Sequence, residues 1–103
     1  MIHELTSIQI QPGKQKEFEA AVEQGIAKVI SHSKGYIRYN LNHSLAKPEH
    51  YLLHIEWETL ENHMVDFRES PAFPEWRGYI SSFFAEAPST EHFETVKTSA
   101  YAD

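Results

Sequence analysis

Seven histidines (His3, His32, His43, His50, His54, His63 and His92) stand in a chain of 103 residues. Imidazole is both a common metal ligand and the side chain that titrates nearest neutral pH. His54 and Glu56, two apart on a strand-like run, present to one face, and so do His92 and Glu94. Spacing specifies no third or fourth ligand for either pair, and no HExxH is present. His50 and His54 lie ~13 Å apart at strand rise, too far to share an ion. These pairs read as polar residues lining a sheet surface, and no bound metal is expected. Aspartate occurs only at 66 and 103 and no serine lies in a nucleophile elbow, so no Ser-His-Asp triad can be written. The glutamates at 17, 19, 23, 56, 58 and 61 read as solvated faces, and none pairs off for glycoside chemistry.

The distinctive feature is a concentration of aromatic residues: Tyr36, Tyr39, Tyr51, Trp57, Phe67, Phe73, Trp76, Tyr79, Phe83 and Phe84. Most such residues fill a core. Yet Trp57 ends an inward strand face, His63 and Phe67 sit one helical turn apart, and Trp76-Arg77 follow Ser70-Pro71. Residues 63 and 67 share a helical face, and that face must meet the apolar strand side ending at Trp57. The candidate site is therefore one cavity under a sheet, walled by Trp57, Phe67, Phe73, Trp76, Tyr39 and Leu53. A mostly apolar pocket with a few orienting donors suits a flat aromatic or polyketide-like substrate rather than a sugar or phosphate. His63 is placed as proton shuttle, because its intrinsic pKa lies near the operating pH. Arg77 is expected as the only basic group there. A guanidinium among aromatics is costly unless it meets an anion or a substrate oxygen.

The elements that hold these residues follow from periodicity. Residues 2–10 read as a strand closed by Pro12-Gly13. Phe18, Ala21, Val22, Ile26, Val29 and Ile30 recur at helical spacing, which predicts a helix over 14–32 stopped by Gly35. Runs 36–44 and 50–57 form a hairpin around Lys47-Pro48. Thr59 is the candidate N-cap of a helix with Leu60, His63, Met64 and Phe67 along one side, and Ser70-Pro71 opens a further helical piece. A fourth strand is predicted over 90–98. The order βαββαβ is the ferredoxin-like α+β pattern, an antiparallel four-stranded sheet with helices on one face. In the hairpin, Ile37, Tyr39, Leu41, Tyr51, Leu53, Ile55 and Trp57 face the helices, while Arg38, Asn40, Asn42, His54 and Glu56 face away. Arg38 falls opposite Glu56. Apolar residues on both faces of the first and last strands point to a partner sheet.

Composition narrows the function. The length fits one domain over 1–103. Nine Lys+Arg against fifteen Asp+Glu give a charge of −6, the wrong sign for nucleic acid. No cysteine is present, and four glycines allow neither GxGxxG nor GxxxxGK[ST], so no nucleotide cofactor is expected. No run reaches the ~18 apolar residues of a membrane span. The alternating first ten residues do not read as a signal peptide, and a cytoplasmic protein is expected.

Three stretches carry a family resemblance: Pro12-Gly13 after the first strand, HIEWETLENHMVDFRESPAFPEWRGYISSFF over 54–84, and PSTEHFETV over 88–96. Together they resemble the antibiotic biosynthesis monooxygenase (ABM) family. The resemblance implies homodimers whose sheets pack face to face into an α/β barrel, and oxygenation of aromatic polyketides or quinols by O2 without metal or flavin. It matches the polyketide-oxidising members' Trp to Trp57 and their Arg to Arg77, places their pocket Tyr at His63, and replaces their strand-three Asn with Leu53. The haem-degrading members' Asn, Trp and His fall at Ser7, Phe67 and Arg77, so haem degradation is not expected, and Ser7 joins the candidate substrate wall. Members acting on quinols or signalling sugars carry His near Phe67 and Ala72, which this chain lacks. The expected activity is therefore a cofactor-independent monooxygenase of an aromatic or quinone-like molecule. A dimeric binding or sensing protein without oxygenase activity, or a non-redox isomerase, are the alternatives.

Overall fold

Antiparallel pairing of strands with one apolar face sets the architecture. The computed structural model describes residues 1–99, so the last four residues of the expected 1–103 unit lie outside the described residues. The order is β1 (Ile2–Gln9), α1 (Gln15–Lys28), β2 (Tyr36–His43), β3 (His50–Trp57), a π-helical turn (Asn62–Phe67), α2 (Ala72–Ile80) and β4 (Ser89–Glu94). Short 3-10 turns follow α1 at Ile30–His32 and α2 at Ser81–Phe83. The strands lie in the order β2-β3-β1-β4, and every neighbouring pair is antiparallel. This is the ferredoxin-like α+β fold that the element order predicts.

The inward strand face carries Ile8, Tyr51, Leu53, Ile55 and Trp57, each no more than 2% exposed. They pack against Phe18, Val22 and Ile26 of α1 and Trp76 and Ile80 of α2. Burying each such side chain contributes roughly 1.5–3 kcal/mol. The helices approach closely because Gly25 of α1 lacks a side chain. A Cβ there would stand 2.7 Å from the Trp76 ring.

Four sequence expectations shift. The first helix ends at Lys28, and Ile30 is buried from the 3-10 turn that follows. Ile37 does not face the helices. Tyr36 pairs with Trp57 and Arg38 with Glu56, so Ile37 is the extra residue of a bulge, and Tyr36 takes the inward place. In the π-turn, i→i+5 bonding widens the coil. Asn62, His63 and Phe67 are buried there, and Leu60 and Met64 are left exposed. The last strand spans Ser89–Glu94 rather than 90–98. On the outer face, Arg38 pairs with Glu56 as the hairpin register predicts. Among the described residues no helix is long and apolar enough to cross a membrane.

Candidate active site

A cavity of about 340 Å³ opens between the sheet, the π-turn and α2. Strand alternation puts Glu4, Thr6 and Ile8 of β1 on its ceiling. Glu4 is 7% exposed, a carboxyl at a position where the pattern calls for an apolar residue. Its hydrogen-bond partners explain how it is tolerated there. The Trp57 indole N–H donates to Oε1 at 2.9 Å, and the Thr6 hydroxyl donates to Oε2 at 3.2 Å. His63 Nε2 lies 3.3 Å from the same Oε1. On the other side of the ring, His63 Nδ1 lies 2.8 Å from Nε2 of His92. Register places His92 of β4 directly across from Glu4. The network assigns the tautomers: His63 donates from Nε2 to Glu4 and accepts at Nδ1 from His92. The Trp57 ring stacks on His63 at 5.2 Å, and Phe67 lies at 6.1 Å, which fixes the plane of the imidazole.

Burial dominates the protonation states. It raises the Glu4 carboxyl above its ordinary value, while the bonds from Trp57 and Thr6 and the charge of Arg68 pull it down. Burial, then His92 and Arg68, push His63 down to about 4, and burial and Arg68 lower His92. His63 is therefore neutral at neutral pH. Between pH 6.5 and 4 the unfolded chain takes up a proton at residue 63 that the folded chain refuses, so acidification weakens the fold. Glu4 acts in the opposite sense, holding a proton above the carboxyl's ordinary pKa. We expect the His63 contribution alone to be a loss of about 1–2 kcal/mol from pH 7 to pH 5, seen as a lower urea midpoint in a Glu4→Gln background that lacks the opposing carboxyl. An unchanged or higher midpoint at pH 5 would contradict the burial of a neutral His63.

The opposite wall is cationic and aromatic. The Arg77 guanidinium stands 5.9 Å from the Phe73 ring and 5.3 Å from the Phe84 ring, and Arg68 covers Phe73 at 5.0 Å. Two arginines line the cavity, so Arg77 is not its only basic group. The buried Nε of Arg77 has no hydrogen-bond partner within the protein.

Of the residues singled out from sequence, His63, Arg77, Phe67, Trp76, Leu53 and Phe73 line the cavity together. Trp57 stands behind it, holding Glu4 and His63. Tyr39 packs at the margin of the core and does not line the cavity. Ser7 lies on the outer face, bonded to His50 at 2.8 Å. Glu4 and His92 are the residues sequence reasoning missed. The parity of β1 was the available signal for Glu4, because it shares a face with Ile8. For His92 no local signal exists, since its hydrogen-bond partner His63 stands 29 positions away and its register neighbour Glu4 lies on the first strand.

Residues 1–79 match the family described as antibiotic biosynthesis monooxygenase, ABM. The uncharacterized protein YczJ of Bacillus subtilis (strain 168) is 40% identical over 96 residues, covering 93% of this chain and 100% of YczJ. A solved structure from Bordetella bronchiseptica, assigned to the antibiotic biosynthesis monooxygenases, is 41% identical with a TM-score of 0.87, covering 93% of this chain and 97% of its own. The monooxygenase ActVA-Orf6 of Streptomyces coelicolor, solved in complex with nanaomycin D, shares the fold at 15% identity, with a TM-score of 0.82 over 98% of this chain and 92% of its own.

Proposed function

The chain belongs to the antibiotic biosynthesis monooxygenase family, and from that premise we propose that it oxygenates a phenol-, quinol- or aromatic polyketide-like molecule with O2 and no cofactor. One observation carries the reading. A buried carboxyl, Glu4, held by His63, lines a cavity whose far wall carries Arg77. The nanaomycin D held by ActVA-Orf6 supports a small organic ligand for this cavity.

The chemistry balances without an outside reductant. Glu4, held by the donors of Trp57 and His63, removes a phenolic or enolic proton. Arg77 holds the resulting oxyanion, whose charge the apolar walls leave unscreened. The anion gives one electron to O2, and the radical pair combines into a carbon-bound peroxide. That peroxide takes the proton back from Glu4, breaks its O–O bond and loses the hydrogen on the same carbon, leaving a carbonyl and water. The substrate supplies all four electrons. Trp57 positions the base, while Phe73 and Trp76 orient the ring and exclude water.

The outer sheet face leaves Leu52 and Phe93 exposed beside the Arg38–Glu56 pair. A second copy packed there completes the dimer expected of the resemblance, and a light-scattering mass of two chains tests it. An oxygen electrode tests the reaction: O2 uptake is expected with members of a panel of naphthols and hydroquinones, and Arg77→Ala should slow it at least ~10-fold. Leu53, apolar where the polyketide-oxidising members carry Asn, favours a second reading as a binding protein. Tight binding of hydroxynaphthoquinones with no O2 uptake across the panel would establish that reading instead.

A further inference from the structure

On the face of the sheet turned away from the cavity, three ligand-type side chains converge. His3 of β1 pairs directly with Glu56 of β3, and His54 lies two residues back on the same face of β3. A ligand atom of each lies within 4.8 Å of the other two. His3 Nδ1 and His54 Nε2 share a hydrogen bond of 2.8 Å, which an ion between them would replace. Two nitrogens at ~2.05 Å from one ion, at right angles, would stand ~2.9 Å apart.

Second contacts orient each group. The Thr95 hydroxyl meets His3 Nε2 at 2.8 Å and so turns Nδ1 toward His54. Arg38 engages Oε2 of Glu56. The other oxygen, Oε1, is buried without a partner, on a residue 3% exposed. A buried carboxylate oxygen left unpaired costs free energy that a ligand would recover.

We propose that His3, His54 and Glu56 bind a first-row divalent cation on this outer face. Two imidazoles and one carboxylate suit Zn2+, Co2+ or Ni2+ rather than Ca2+ or Mg2+, and water completes the coordination. The ion would clamp β1 to β3, and the site is independent of the reaction proposed for the cavity. Arg38 beside Glu56 places a positive charge nearby, which weakens the site without filling it.

Chelator-treated full-length protein titrated with Co2+ tests this. Saturable binding at one ion per chain is expected, with the visible absorption of nitrogen-ligated Co2+. At 100 times the Kd, Tm should rise by about 10 °C. Thr95→Val should weaken binding about 10-fold, because it only frees the His3 ring. His3→Ala and His54→Ala should each weaken it further. None of the three is fully buried within its own chain, and circular dichroism with light scattering confirms that each variant folds and keeps the wild-type mass. The absence of saturable binding by the wild type would overturn the proposal. So would binding retained in His3→Ala and His54→Ala, which would place the ion on other histidines.

Discussion

Glu4→Gln is expected to lower kcat for the oxygenated phenol by about 10²-fold or more while changing KM little. Glutamine keeps the shape of the side chain. Its amide oxygen still accepts from the Trp57 indole and from His63, the two groups that meet Oε1. What it loses is the capacity to take a proton in the step that forms the oxyanion. His63→Ala should cost as much, for a different reason: it removes the donor that holds Oε1 of Glu4 and leaves a buried carboxyl with one partner fewer. The pH profile separates them. In wild type the acid limb of kcat/KM reports the Glu4–His63–His92 network as a unit, and His63→Ala should move that limb. A Glu4→Gln enzyme with unchanged kcat and a raised KM would make Glu4 a positioning group only.

Gly35→Ala is expected to lower stability by about 3 kcal/mol or more, one of the largest losses available to a single methyl group. Gly35 sits at φ +83°, in the left-handed region where a side chain is strained. A Cβ there would also stand 2.1 Å from Oδ1 of Asn62. That oxygen accepts from both the backbone N–H and the hydroxyl of Thr59, at 3.1 and 2.8 Å, while Thr59 Oγ1 accepts from the Asn62 backbone N–H at 3.1 Å. The pair starts the π-turn that carries His63. Displacing Asn62 therefore moves the base as well as weakening the fold, and activity should fall together with the urea midpoint. Gly78→Ala is the control: nothing lies within 4 Å of its Cβ, and alanine favours the helix. A Gly35→Ala midpoint equal to wild type would show that the Asn62 bonds yield freely.

Local periodicity made the strands, α1 and the aromatic wall legible, because each depends on neighbours within a few residues. The hairpin's alternation placed Leu53 and Trp57 inward, and four-residue spacing joined His63 to Phe67. Three things escaped. The bulge at Ile37 changes strand parity without a marker such as glycine or proline. The π-turn keeps the helical pattern but turns Met64 outward. Most consequentially, Glu4 meets His92, and His3 meets Glu56, only through strand pairing between distant segments. Reading β1 by the parity of Ile8 would have put Glu4 in the cavity. Nothing local could have supplied its partner.

The central claim is that the cavity transfers an oxygen atom from O2 to a phenolic substrate by proton removal at Glu4–His63 and oxyanion binding at Arg77. The direct measurement is a single-turnover reaction under 18O2, using chelator-treated protein and a naphthol identified by O2 uptake, read by mass spectrometry. The expected result is a quinone carrying one 18O atom per turnover, with its yield lost in the Glu4→Gln, Arg77→Ala double variant. A product carrying oxygen only from water, or full yield from the double variant, would contradict the account.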